Sequence, residues 1–170
     1  MTRSVSRSLL ATAGLAAALG LSSAAHAAGD PVRGAYLAAI SDCGGCHNQG
    51  AMTPEPNLEQ PLSGSEIGFE VPGLGTFYPP NLTNDEATGL GSWTDEQIAN
   101  AIRTGERPDG RILAPIMPWI SYAAYTDADI MDLVAYLRSL PVVEHQVPGP
   151  FGPGETPTSP YQALIMPAAQ

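Results

Sequence analysis

The sequence contains no lysine, and its 170 residues include only seven basic groups, all of them arginines. Seventeen aspartates and glutamates oppose them, which gives a formal net charge of −10. This imbalance argues against nucleic acid and anionic membrane surfaces as partners. It favours electrostatic steering toward a basic patch on a partner protein.

Cysteine and aromatic residues are also scarce, with two cysteines and 6% aromatic side chains. The two cysteines lie three positions apart, so a disulfide framework cannot hold the domain together. Glycine (18) and proline (17) are abundant, which indicates long irregular connections in one small domain. A bound cofactor could supply the missing core volume.

Only the N-terminus carries an extended hydrophobic run. Arg3 and Arg7 precede an apolar stretch from Leu9 to Leu21, and small residues follow up to an A-x-A site ending at Ala27. The pattern predicts a signal peptide over residues 1–27 and export to the periplasm. A retained anchor is the alternative, but the run is shorter than the ~20 residues of a membrane span. Cleavage would leave five basic and seventeen acidic groups, and no transmembrane anchor.

Three helices are predicted from their capping residues. The first begins at Asp30 and Pro31 and runs to Ile40. The second follows a capping-box sequence at Thr94 and stops at Gly105. The third begins after Thr126, ends before Pro141, and has an apolar face formed by Ile130, Leu133, Val134, Leu137 and Leu140.

The remaining segments lack a sustained hydrophobic period. Residues 44–91 are rich in Gly, Pro, Asn and Ser, and we interpret them as mostly loops and turns, which need something to wrap around. We assign residues 28–143 to one domain and residues 144–170 to a Pro/Gly-rich tail. The tail is expected to be either disordered or draped over the domain or a partner.

Residues 43–47 read Cys-Gly-Gly-Cys-His, the C-x-x-C-H pattern of c-type haem attachment. In such a site Cys43 and Cys46 bond to the haem vinyl groups, and His47 binds the iron. A thioredoxin-like pair would need a βαβ context, which is not visible. A zinc site would need further ligands, and after His47 the sequence offers only His145.

An electron-transfer haem usually has a sixth ligand, and a methionine thioether is a common one. Met117 is the favoured candidate because Pro115 and Pro118 keep its segment extended and free of helical constraint. Met52 follows the motif too closely, Met131 lies within the third helix, and Met166 lies in the tail. Core packing of Met117, or ligation by His145, are the alternatives.

Several separated motifs occur in an order that resembles class I cytochrome c, and is most similar to the haem modules in cytochrome subunits of membrane-bound alcohol and gluconate dehydrogenases. Besides the N-terminal helix and Cys43–His47, the motifs are Tyr78–Thr83, Gly91–Thr94, Arg107–Arg111, Pro115–Trp119 and Val134–Pro141. The resemblance implies an all-α, cytochrome c-like fold with few short helices and long loops around one covalent haem c. It also implies attachment at Cys43 and Cys46 and axial ligation by His47 and Met117.

The dehydrogenase subunits usually carry three such modules and a C-terminal anchor, whereas this chain has one C-x-x-C-H motif. The resemblance therefore implies a soluble mono-haem electron carrier and not an enzyme, with a dehydrogenase as donor and a terminal oxidase or another cytochrome as acceptor. The alternatives are a haem enzyme or gas sensor with an open sixth position, and a cytochrome subunit permanently docked on a dehydrogenase. Candidate donors to the haem propionates are Trp93, Asn81 and Arg103.

Overall fold

In the computed structural model, residues 29–165 and Pro167 are described, and within them the chain forms five helices and three short strands. The predicted signal peptide, residues 1–27, and Met166 lie outside the described residues. The helices are α1 (Pro31–Ile40), α2 (Cys43–His47), α3 (Asp95–Thr104), α4 (Trp119–Tyr122) and α5 (Asp127–Ser139), and the strands are β1 (Gly68–Val71), β2 (Gly75–Phe77) and β3 (Tyr161–Gln162). No helix of this described part is long and apolar enough to cross a membrane.

The three predicted helices are confirmed, and each starts at its predicted capping residue. The Asp30 carboxylate accepts a hydrogen bond from the first turn of α1. Thr94 and Gln97 form a capping box at α3, and Thr126 and Asp129 form one at α5. These side chains satisfy backbone N–H groups that have no partner inside the helix.

Helices α1 and α5 cross in close contact. A methyl group placed on Gly34 would lie 1.9 Å from the carbonyl oxygen of Asp132, so the two backbones can approach only because position 34 lacks a side chain. The Asp132 carboxylate also accepts a hydrogen bond of 2.7 Å from the Asp30 N–H. Arg33 pairs with Asp129 and Asp132 on the same side. The first and last helices are thus fixed to each other.

The main hydrophobic core lies along the inner face of α5. All five residues of its predicted apolar face are buried: Ile130, Leu133, Val134, Leu137 and Leu140. Three further side chains pack against this face: Leu62 and Leu90 from the residues between α2 and α3, and Ile98 from α3. Each buried aliphatic side chain of this kind contributes about 1.5–3 kcal/mol.

A small three-stranded sheet was not predicted. Strands β1 and β2 form an antiparallel hairpin in which Phe69 pairs with Phe77, and β3 pairs in parallel with β1 through Tyr161 and Gln162. Within residues 44–91 the prediction of loops and turns is therefore correct except for this hairpin and for residues 44–47, which belong to α2.

The tail is draped over the domain as far as Gln162, which agrees with one of the predicted outcomes. Phe151 exchanges two backbone hydrogen bonds with Thr76, and its ring contacts that of Tyr78 edge to face at 6.1 Å. The Tyr78 hydroxyl donates to the carbonyl oxygen of Ser159, and β3 follows directly. The tail therefore covers the hairpin and the loop after it.

Replacing Gly34 with Ala tests the crossing of α1 and α5. Alanine favours a helix by roughly 0.5–1 kcal/mol over glycine. The clash with Asp132 costs more, about 1–3 kcal/mol in closely packed sites. We therefore expect a net loss of unfolding free energy, measured by guanidinium unfolding of the haem-loaded protein. Gly152→Ala is the control, since a methyl group there would meet its neighbours at 3.6 Å. Equal stability of the two variants would contradict the proposed role of Gly34.

Candidate functional site

The C-x-x-C-H motif forms the short helix α2, which begins directly after α1. Asp42, between the two helices, has a left-handed backbone with φ of 54°, and this sharp change of direction separates them. Cys43 and Cys46 are three residues apart on a helix, so their thiols lie on the same side. Both are half-buried and free. The motif thus presents two adjacent thiols and a histidine from one helical turn.

The His47 side chain is buried and fixed by one hydrogen bond. Its Nδ1 lies 2.8 Å from the carbonyl oxygen of Pro80, so Nδ1 donates and the neutral ring has its lone pair on Nε2. Burial lowers the pKa of His47, and the Pro80 hydrogen bond partly opposes this shift. A neutral imidazole with a free Nε2 is the form that binds a metal ion.

The two thiols are held in their protonated form. Burial raises the pKa of Cys43 to about 11. Burial also raises the pKa of Cys46, and the nearby Asp42 carboxylate adds to the shift. A thioredoxin-type pair depends on a lowered thiol pKa, so these surroundings are unsuited to disulfide exchange.

The segment after His47 is held by hydrogen bonds from a buried loop, residues 62–65, which we call the clasp. The Asn48 side-chain oxygen accepts a 2.7 Å hydrogen bond from the N–H of Leu62. Leu62 has φ of 58°, an unusual value for a branched residue, and is buried in the main core. Two residues later the Gly64 N–H donates to the carbonyl oxygen of His47 at 2.7 Å. The loop therefore fixes both the His47 carbonyl group and the Asn48 side chain.

Met117 lies in a turn and is half-buried, so the prediction of an extended segment is wrong. Its N–H donates to the carbonyl oxygen of Ala114 at 3.0 Å. Pro115 takes the second position of this four-residue turn, where its fixed φ is favourable. Proline excludes a helix only at and before its own position, and α4, which begins directly after Pro118, was not predicted.

Helix α4 connects the Met117 turn to two other elements, the residues just before the motif and the end of α3. The Tyr122 hydroxyl donates to the carbonyl oxygen of Ser41, just before the motif, at 3.0 Å. Burial raises the pKa of Tyr122 to about 12, with Cys43 adding to the shift, so the hydroxyl remains a neutral donor. The Trp119 ring packs against Gly105 at the end of α3. Tyr122 belongs to none of the motifs of the sequence, and Pro80 lies within the Tyr78–Thr83 motif but has no local sign of its contact with His47.

The other ligand candidates have the following places in the structure. The Met52 sulfur accepts a hydrogen bond from the Gln162 side chain. Met131 lies within α5, as predicted, and the His145 Nδ1 is bonded to the carbonyl oxygen of Ser63. Among the described residues no group of three or more His, Cys, Asp and Glu side chains is arranged to hold a metal ion.

The candidate propionate donors have other partners. Asn81 is fully buried, and its amide donates to Val143 and Thr88, so the structure gives it a structural role. The guanidinium of Arg107 lies 5.1 Å from the centre of the Trp93 ring. Arg103 forms an ion pair of 2.8 Å with Asp127.

Comparison with known proteins agrees with the motif. The profile of the cytochrome c family matches residues 31–141, well over half of the chain. The chain is 36% identical over 126 residues to the fructose dehydrogenase cytochrome subunit of Gluconobacter japonicus, covering 70% of this chain and 24% of that protein. It is 38% identical over 130 residues to the cytochrome c subunit of a quinone alcohol dehydrogenase from Gluconobacter oxydans (72% and 25%).

A third relative is the gluconate 2-dehydrogenase cytochrome c subunit of Pantoea cypripedii, 36% identical over 104 residues, covering 61% of this chain and 22% of that protein. The chain thus spans about a quarter of the length of these relatives.

Replacing Asn48 with Ala tests the clasp after His47. The substitution leaves the buried N–H of Leu62 without a partner, which costs about 1–3 kcal/mol. We expect this loss in guanidinium unfolding of the haem-loaded protein. Asn57→Ala is the matched control, because Asn57 accepts hydrogen bonds from Glu59 and Gln60 in an exposed loop where water can replace it. Equal losses in the two variants would show that Asn48 has no special role.

Proposed function

Since the chain belongs to the cytochrome c family, whose members are electron carriers with covalently bound haem c, we propose that His47 and Met117 are the axial ligands of its haem iron. In this assignment the thiols of Cys43 and Cys46 form the two thioether bonds. Family membership confirms the predicted cytochrome c-like fold, the haem c cofactor and the electron-carrier class.

The observation that carries the site assignment is the setting of His47. The ring is buried, its Nδ1 is held by Pro80, and it follows Cys46 directly in the same short helix. An imidazole fixed in this way keeps one orientation and the correct tautomer for binding iron through Nε2. The half-buried thiols beside it suit covalent attachment, so the residues present fit haem c.

The haem supplies one-electron chemistry, with iron alternating between the ferric and ferrous states. The contribution of the chain is to keep both ligands in place in both states, so that little has to rearrange. His47 is fixed by Pro80 and by the Gly64 hydrogen bond to its carbonyl oxygen. The Met117 turn is fixed through α4, which is bonded to Ser41.

The proposed donor is a dehydrogenase, and the proposed acceptor is a terminal oxidase or another cytochrome. The relatives named above are cytochrome subunits of fructose, alcohol and gluconate dehydrogenases, which supports a partner of this kind. The proposed location is the periplasm, with residues 1–27 as signal peptide, residues 28–143 as the cytochrome domain and residues 144–170 as its tail.

The surface charge supports electrostatic steering toward a basic partner. Within the described residues every arginine–carboxylate ion pair uses an aspartate. Four exposed glutamates lie between α2 and the end of β2: Glu55, Glu59, Glu66 and Glu70. This leaves an excess of negative charge for transient contacts.

A free carrier is favoured over a permanently docked subunit because the tail is occupied by its own domain. The tail is hydrogen-bonded to Thr76 and Tyr78, and its strand β3 pairs with β1. These contacts hold it against the domain as far as Gln162. The remaining alternative, an open sixth position in an enzyme or gas sensor, is an outcome of the ligand experiment that follows.

Replacing Met117 with Leu tests the sixth ligand. Leucine has a similar volume but no sulfur, so we expect the weak far-red absorption band of the ferric protein, which reports iron–thioether bonding, to disappear. Met131→Leu is the matched control and should keep the band. If the wild-type protein lacks the band, or if Met117→Leu keeps it, Met117 is not the ligand and the open-site alternative gains support.

The salt dependence of electron transfer tests the acidic surface. Rising ionic strength screens exposed charges, with a Debye length of about 10 Å at 0.1 M. We expect reduction by the cationic hexaammineruthenium(II) to slow with added salt, and oxidation by the anionic ferricyanide to accelerate, in stopped-flow measurements. Glu55→Gln with Glu59→Gln should weaken both dependences. Rates that do not change with salt would exclude steering.

A further inference from the structure

The chain segment after α5 contacts the loop that clasps His47. The carbonyl oxygen of Val143 accepts hydrogen bonds from the side chains of Asn81 and Thr83, at 2.7 and 3.2 Å. A methyl group on Gly64 would lie 2.6 Å from the Val147 side chain. The segment therefore packs against the two stretches that touch His47, one through Pro80 and one through Gly64.

One peptide group connects His145 to His47. The Nδ1 of His145 lies 2.7 Å from the carbonyl oxygen of Ser63. The N–H of Gly64, at the other end of the same peptide bond, donates to the carbonyl oxygen of His47 at 2.7 Å. Because a peptide group is planar, fixing the direction of its C=O also fixes the direction of its N–H. The two bonds lie in series and polarise one another.

The Ser63 carbonyl depends on this partner. Ser63 is 0% exposed. Among residues 29–165, its carbonyl oxygen receives a hydrogen bond only from His145. A buried carbonyl that loses its donor must stay unpaired, at a cost of about 1–3 kcal/mol, or turn until water reaches it.

His145 is itself held in place. Its backbone N–H donates to the Thr88 hydroxyl at 3.1 Å, and the same hydroxyl accepts from the amide of Asn81. The ring is half-buried. A side chain this constrained can keep the Ser63–Gly64 peptide group in one orientation.

We propose that His145 is a positioning residue for the haem iron, acting on His47 through the Ser63–Gly64 peptide group. The inference rests on the proposed role of His47 as iron ligand. Loss of the His145 donor frees the peptide group and admits water near His47. Greater solvent access stabilises the more highly charged ferric state, so the reduction potential falls.

The test compares two substitutions of His145 in the full, haem-loaded chain. His145→Leu removes the donor, and we expect its reduction potential to fall below that of the wild type in a spectroelectrochemical titration. His145→Asn retains an N–H donor close to the position of Nδ1, and we expect it to restore the wild-type potential. Gln146→Ala is the control, because within the described residues the side-chain nitrogen of this exposed residue bonds only to the adjacent Val147.

A potential in His145→Leu equal to that of the wild type would overturn the positioning role, even if the variant unfolded more easily. An equal fall in His145→Asn would also overturn it, because the donor would then be irrelevant. If His145→Leu fails to mature, ¹⁵N NMR of the wild-type protein decides, with a protonated Nδ1 on His145 expected and an unprotonated one contradicting the proposal.

His47→Ala separates the two possible failures. If this variant keeps the wild-type spectrum, His47 is not an iron ligand and the proposed site itself is wrong. If it loses the spectrum while His145→Leu keeps the potential, the site stands and only the role of His145 fails.

Discussion

The His47 ring is oriented by the carbonyl oxygen of Pro80, a residue 33 positions further along the chain. This single hydrogen bond requires a loop to return to α2 and to keep a carbonyl group pointing at the imidazole. Loops carry many backbone polar groups that need partners when they are buried. Much of the remaining structure supplies these partners. The Asn48 side chain accepts a hydrogen bond from the Leu62 N–H, and the Asn81 side chain accepts one from the Thr83 N–H. In the tail, the His145 ring donates to the carbonyl oxygen of Ser63.

The three longer helices, α1, α3 and α5, and the C-x-x-C-H motif could be predicted because their signals are local. A capping box lies within four residues, and C-x-x-C-H within five. Strand β3 and the position of the tail could not be predicted, because their partners are distant in sequence: β1 pairs with β3 residues more than ninety positions away. The hairpin was missed although Phe69 and Phe77 are close in sequence, because strands of four and three residues are too short to show an alternating pattern. The Met117 turn was missed for a different reason, since proline is equally compatible with an extended segment and with the second position of a turn.

The two histidines after the predicted signal peptide show the same limit within the site. His47 was assigned from its place beside Cys46, and its role needs no knowledge of the fold. The sequence around His145 carries no comparable motif, and its position past Pro141 indicated a chain leaving the domain. Only the folded chain brings its ring to Ser63, because the segment turns back onto the domain instead of continuing away from it.

The crossing at Gly34 has a consequence for the order of assembly. Helix α1 finds its partner in α5, almost a hundred residues later, and the contact is closed further by the hydrogen bond from Asp30 to Asp132. Contacts this distant in sequence form late, because a long loop must first be ordered. Until α5 docks on α1, the Cys43–His47 segment belongs to an open chain. A haem attached at this stage, at the proposed site, would be enclosed when the first helix closes on the last.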